Sequence, residues 1–152
     1  MELFQIDDDG LLFISPDIDD WAAVAKYGID VVIDLEGAVD VDIPSTPNYC
    51  LYVYLPIDDD NEQLPNLKRM RAVATLAASL MRDGHRVLSH CGMGLNRSAL
   101  MAGLILIELG TPGPAAVGRI RERRPGALYN ECFAGCLESI TGTKTADVAL
   151  ET

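Results

Sequence analysis

Apolar positions in this chain follow two rhythms. Residues 3–6 and 11–14 are short β-rich runs separated by Asp7-Asp8-Asp9-Gly10, a polar turn closed by glycine, and this predicts a hairpin. Residues 30–35 (DVVIDL) and 49–55 (YCLYVYL) are nearly continuous apolar runs, the pattern of strands buried inside a sheet. Residues 86–90 (RVLSH) make a further short strand. The second rhythm is helical: from Asn66 onward, Leu67, Met70, Val73, Ala74, Ala77, Leu80 and Met81 share one face until Asp83-Gly84 ends the run. Residues 98–109 are apolar almost all round and predict a core helix. Residues 114–123 and 130–140 read as two more helices, parted by Pro125-Gly126. Ser15-Pro16 with Asp17, Asp19 and Asp20 supplies a cap, a first-turn proline and dipole-matched acids, and places a helix at 17–27. Residues 37–48, with Pro44 and Pro47, read as a loop.

Strands first, then strand and helix alternating, then three helices in a row predict an α/β fold: three layers, with a mixed central sheet of about five strands flanked by helices. With no internal repeat or boundary, residues 1–140 are expected to form a single domain and residues 141–152 a flexible tail. A chain of 152 residues suffices for one core without disulfides or a structural metal.

Charge narrows the function classes. Twelve Lys and Arg against 23 Asp and Glu give a net charge of −11, which repels nucleic acid and anionic membranes and makes a phosphate-bearing ligand depend on a local exception. The first twenty residues hold Glu2, Asp7, Asp8 and Asp9 and no Lys or Arg, the wrong chemistry for a leader peptide. The longest apolar stretch, residues 99–107, is far short of the roughly 20 residues of a membrane span. A soluble, cytoplasmic protein is expected. Cys50, Cys91, Cys132 and Cys136 show no Cys-x-x-Cys pair and are expected as reduced thiols. Cys132 and Cys136 lie four apart without a nearby histidine, so zinc is disfavoured.

The local exception is His90-Cys91-Gly92-Met93-Gly94-Leu95-Asn96-Arg97-Ser98, set between a strand and a helix start where free amides and the helix dipole favour an anion. A loop of Gly92, Met93, Gly94, Leu95 and Asn96 is short and flexible enough to wrap its amides around a tetrahedral oxyanion. The same positive end stabilises a thiolate at Cys91. Arg97 supplies a planar fork for two phosphate oxygens. A buried cysteine opening a core helix would explain Cys91 but neither the glycine pair nor Arg97. As a dinucleotide fingerprint the loop fails, because Arg97 stands where the third glycine belongs. As a calcium loop, the acidic run from Asp58 fails at Gln63 and Arg69. Asp7 to Asp9 read as a solvated loop.

His-Cys, five residues, Arg, then Ser resembles the signature of the cysteine-dependent protein phosphatases, and the chain looks closest to the small dual-specificity phosphatases over nearly its whole length. Rhodanese-like enzymes and low-molecular-weight phosphatases also use Cys-x5-Arg, but the latter carry it at their first strand. The resemblance implies an acid about thirty residues before the nucleophile, and Leu55-Pro56-Ile57-Asp58-Asp59-Asp60 resembles the family's acid loop. The family pattern Pro-Ile-x-Asp selects Asp59, with Asp58 and Asp60 as rivals. It further implies that the Ser98 hydroxyl assists the departing thiolate, compatible with the helix cap its position suggests, and that His90 orients the loop. Asn130 and Phe133 resemble the Asn-x-x-Phe of the last helix, a structural support. Asp34 and Glu36 fall where the family lines one rim of the pocket, and the sequence assigns them no role. Arg119, Arg121, Arg123 and Arg124 form a basic cluster, read as a solvated face or a secondary phosphate contact.

The implied activity is metal- and cofactor-independent hydrolysis of a phosphorylated protein or small phosphomonoester, through a cysteinyl-phosphate, with dual Tyr and Ser/Thr specificity. No loop side chain is basic, which disfavours phosphoinositides and RNA 5′-triphosphates, although RNA triphosphatases of the superfamily share the Asn before the Arg. The alternative is a catalytically silent phosphopeptide-binding module on the same fold. The sequence does not set the oligomeric state.

Overall fold

The computed structural model describes residues 1–141, so all but the first residue of the tail expected at 141–152 lies outside the described residues. In chain order the elements are β1 (Phe4–Gln5), β2 (Leu12–Ser15), α1 (Trp21–Lys26), β3 (Val31–Asp34), β4 (Leu51–Tyr54), α2 (Leu67–Arg82), β5 (Val87–His90), α3 (Arg97–Glu108), α4 (Gly113–Arg123) and α5 (Glu131–Glu138). The five strands form one sheet in the order β1-β2-β5-β3-β4. β1 pairs antiparallel with β2 and the other pairings are parallel, giving the expected mixed sheet.

The register places the carboxyl ends of three strands side by side: Ser15 opposite His90, and His90 opposite Asp34. Because side chains alternate along a strand, Phe13, Val32 and Leu88 face one side, where Ile18, Val24, Ile29 and the half-buried Trp21 cover them. Leu12, Ile14, Val31, Ile33 and Val87 face the other, against the helices that follow. Burial on both faces is why β2, β3 and β5 have no solvent-facing positions. α3 is buried from Ser98 to Ile107 and carries the middle of the core. α2 turns Met70, Ala74, Ala77, Ala78 and Met81 inward.

Several expectations need correction. Ser15 does not cap a helix: β2 continues through it, and its backbone position opposite His90 leaves the cap to Asp20, whose carboxylate accepts from Ala22 N at 2.9 Å. α1 therefore begins at Trp21 rather than at residue 17. Among the described residues β4 is an edge strand, paired with β3 alone and with Leu51 and Tyr54 exposed, so its apolar run does not report two-sided burial. Asp7 is buried, not solvated, and its carboxylate closes the hairpin by accepting from the amides of Leu11 and Leu12, both at 2.9 Å. The 37–48 loop holds neither helix nor strand, and Trp21 Nε1 pins it by donating to Val41 O at 2.8 Å. Among the described residues no helix is long and apolar enough to cross a membrane.

Candidate active site

β5 ends at His90 and α3 begins at Arg97, so the six residues between them cross the carboxyl end of the sheet beside Ser15 and Asp34. Residue 94 must be glycine. Its φ is +68°, and a Cβ there would stand 2.6 Å from the carbonyl carbon of Ser15. Asn96 occupies the N-cap position of α3, yet its side chain makes no capping bond. Instead its Nδ2 donates to Asp59 Oδ2 at 2.9 Å and its Oδ1 accepts from Asn130 N at 3.0 Å. The first intrahelical bond is Leu100 N to Asn96 O, and amides ahead of it have no acceptor within the helix. With the usual cap side chain diverted, the positive end of α3 stays open to an anion.

Cys91 opens this loop, buried, with Sγ 3.4 Å from Ser98 Oγ. Ser98 lies inside the first turn of α3 and is no cap; its hydroxyl is aimed at the sulfur. Arg97 closes the loop. Its Nη2 stands 3.5 Å from Glu36 Oε2, and its Nε is buried with no hydrogen-bond partner, a donor that calls for an incoming acceptor. Met93 is exposed at the loop's tip.

Of the three clustered aspartates, Asp59 is the one tied to the loop. Its Oδ1 accepts from Asn130 Nδ2 at 2.8 Å and its Oδ2 from Asn96 Nδ2. Asp60 spends its carboxylate on its own turn, accepting from Glu62 N at 2.8 Å, and Asp58 points to solvent. Asn130 also caps α5, with Oδ1 accepting from Phe133 N at 3.1 Å while the Phe133 ring is fully buried. The Asn-x-x-Phe pair thus joins last helix, acid loop and cysteine loop.

The outside of the loop is braced by the α4–α5 connection. Arg124 donates from Nε to Gly94 O and from Nη2 to Met93 O, both at 3.3 Å, with its guanidinium over the Phe4 ring. Leu128 N donates to Leu95 O at 2.8 Å, and Arg121 donates to Leu128 O. Arg123 pairs with Asp8 at 2.6 Å. The basic cluster is therefore not merely a solvated face: Arg124 is a strut of the loop. Its partners are backbone carbonyls thirty residues away, which leave no mark on sequence spacing.

Beneath the loop, His90 is fully buried in a polar network that the sequence did not reveal. Its Nε2 lies 2.7 Å from Asp40 Oδ2 and 3.6 Å from Asp34 Oδ1. The Tyr52 hydroxyl donates to Asp34 Oδ2, and accepts from Asp40 N at 3.0 Å. Burial raises the Asp34 carboxyl above its ordinary value against the opposing effect of the Tyr52 bond, and burial with Asp34 raises the Tyr52 phenol. Among the described residues Asp34, Asp40 and His90 form one group with metal-ligand spacing, but the His90 nitrogen facing the carboxylates is already engaged with Asp40. The remaining thiols lie elsewhere: burial lifts Cys50, and burial with nearby Cys132 lifts Cys136 to about 11.

Comparison with known proteins identifies the family and the fold. The sequence model described as "Dual specificity phosphatase, catalytic domain" matches residues 12–141. Among solved structures, human DUSP28 is similar at 20% identity and a TM-score of 0.76, over 99% of this chain and 95% of that one. DUSP15 is similar at 18% identity and a TM-score of 0.80, over 98% and 94%. A human tyrosine phosphatase-like serine/threonine/tyrosine-interacting protein is similar at 21% and 0.72, over 90% and 93%. At these identities the likeness shows the fold. No curated protein sequence matches significantly.

Proposed function

Because the chain belongs to the dual specificity phosphatase catalytic-domain family, we propose that it hydrolyses phosphomonoesters on proteins, phosphotyrosine together with phosphoserine or phosphothreonine, through a cysteinyl-phosphate and without a metal. The observation that carries this reading is the junction of β5 and α3: a buried cysteine at an uncapped helix start, beside an arginine whose buried Nε lacks an acceptor. Such a junction takes a phosphoryl group into contact with a nucleophile.

In the first step the Cys91 thiolate attacks phosphorus in line; the S–P bond forms as the ester P–O bond breaks, and Asp59 gives its proton to the leaving oxygen. Arg97 and the loop amides hold the three non-bridging oxygens as charge redistributes. In the second step the Asp59 carboxylate takes a proton from water, the oxygen attacks phosphorus, and the S–P bond breaks to release phosphate and restore the thiolate. The Ser98 hydroxyl, 3.4 Å from the sulfur, donates to that returning charge. Asn96 and Asn130 position Asp59, and Asp40 positions His90 beneath the loop. Four free cysteines suit a reducing compartment such as the cytoplasm.

The test is hydrolysis of an aryl phosphate in EDTA from about pH 4.5 to 8, comparing native protein with Cys91→Ser and Asp59→Asn. The proposal expects EDTA-resistant turnover with an acidic bell, abolished by the first change and flattened on its basic limb by the second. Well-folded protein that binds phosphopeptide but releases no phosphate at any pH would instead be a binding module.

A further inference from the structure

One charge at the mouth of the loop has no part in that chemistry. Glu36, two residues beyond β3, turns its carboxylate toward Arg97, with Oε2 3.5 Å from Nη2. This oxygen is buried and has no hydrogen-bond partner. Glycine at residue 92 leaves it room: a Cβ there would stand 2.5 Å from Glu36 Oε2 and 3.2 Å from Arg97 Nη2. From the β2 side, Asp17 N donates to Gly92 O at 3.4 Å. The Asp17 carboxyl is raised by partial burial and by Glu36, with Asp40 adding to the rise and His90 opposing it. From the acid loop, Asp59 reaches the cysteine loop through Asn96. Arg124, which also touches the loop, is spent on the carbonyls behind it.

A phosphoryl group that takes the fork of Arg97 sets its own negative charge beside Glu36, and one guanidinium then serves two anions. The arrangement repels unless the substrate brings a compensating cation. A phosphopeptide with Lys or Arg next to the phosphoresidue supplies one; an acidic phosphopeptide adds a third like charge. We propose that Glu36 is a specificity-determining residue, which selects phosphoresidues flanked by Lys or Arg over the same phosphoresidues flanked by Asp or Glu. This rests on the phosphatase reading for its role in turnover, but not for its role in binding.

The experiment uses two matched phosphotyrosine peptides, one with basic and one with acidic flanks, against native protein and Glu36→Gln. Native protein is expected to favour the basic peptide in kcat/KM by roughly five- to tenfold at low salt, the preference shrinking as salt screens it. In Glu36→Gln the ratio falls to within about twofold, by a gain on the acidic peptide. Equal rates on both peptides by native protein overturn the proposal. So does an unchanged ratio in Glu36→Gln with both rates lowered together, the mark of a residue that only holds Arg97 in place. If Glu36→Gln does not fold, the salt dependence of the native ratio decides: a preference that ignores salt is not Glu36's charge. The same peptides titrated against Cys91→Ser, with and without Glu36→Gln, give the ratio as dissociation constants. A retained binding ratio without native turnover defeats the phosphatase reading alone; equal dissociation constants defeat this one.

Discussion

The two ends of β5 carry the same three chemistries and only one of them is built as a site. At the carboxyl end stand Cys91, His90 and the aspartates Asp34 and Asp40; at the amino end stand His85, Asp30 and Cys50, around a cavity of about 320 Å³. The histidine–carboxylate contact is 2.7 Å in both. What differs is the company. The carboxyl end faces the start of α3, with its positive pole and unpaired amides, whereas the amino end follows the last turn of α2, a negative pole. There burial and Asp30 raise the Cys50 thiol. His85 and Asp30 side chains are 44% and 37% exposed, while those of His90 and Asp34 are 0%. In a parallel sheet the carboxyl ends of strands meet helix N-termini, and that polarity, more than the residue inventory, makes a site.

Paired substitutions at the two ends break or sharpen this contrast. The largest effect is expected for the thiols: Cys91→Ser lowers kcat by about four orders of magnitude or more, while Cys50→Ser leaves it within about twofold. Comparable losses at both would make the contrast meaningless. The acids come next. Asp59→Asn is expected to cost about 10²- to 10³-fold in kcat and to remove the basic limb of the pH profile, and Asp30→Asn to change neither. Should Asp58→Asn or Asp60→Asn reproduce the Asp59 effect, the amide-held geometry of Asp59 is not what selects the acid.

A smaller loss is expected for Asn130→Ala, which removes the α5 cap and one of the two amides holding Asp59. The cap alone is worth about 1 kcal/mol of stability, and kcat is expected to fall about tenfold with KM little changed. A drop in melting temperature without any change in kcat would make Asn130 a structural support and nothing more.

The smallest effect concerns pH and Asp34. Because burial holds its carboxyl above the ordinary value, the folded state binds that proton more tightly than the unfolded chain does. The stability it contributes is therefore present in acid and lost as pH rises through the raised value. Asparagine has no such titration, so the melting temperature of Asp34→Asn relative to native protein is expected to climb from about pH 4 toward neutrality. A flat or falling difference would show that Tyr52 and His90 compensate the buried charge in full.

What the sequence discloses and what it hides follow one physical line. The cysteine loop is legible because its chemistry is local: cysteine, glycines and arginine lie within seven consecutive residues. The central strands and α2 are legible because burial imposes a period. Asp40 on His90, Tyr52 on Asp34, Arg124 on Gly94 and Glu36 on Arg97 are not, since each contact spans separate elements and involves side chains whose type is ordinary for a surface. Ser15 misleads for a related reason. A polar residue before proline reads as a helix start, yet β2 carries it on opposite His90 into the buried end of the sheet.

The central claim, that the start of α3 presents Cys91 as a nucleophile to phosphorus, is tested most directly by acid-quenching the protein during turnover of a phosphate ester labelled on phosphorus, then mapping the label by peptide. The account predicts label on the peptide containing Cys91 in native protein, and none in Cys91→Ser. Phosphate release that proceeds with no label at Cys91, or with undiminished rate in Cys91→Ser, would contradict it.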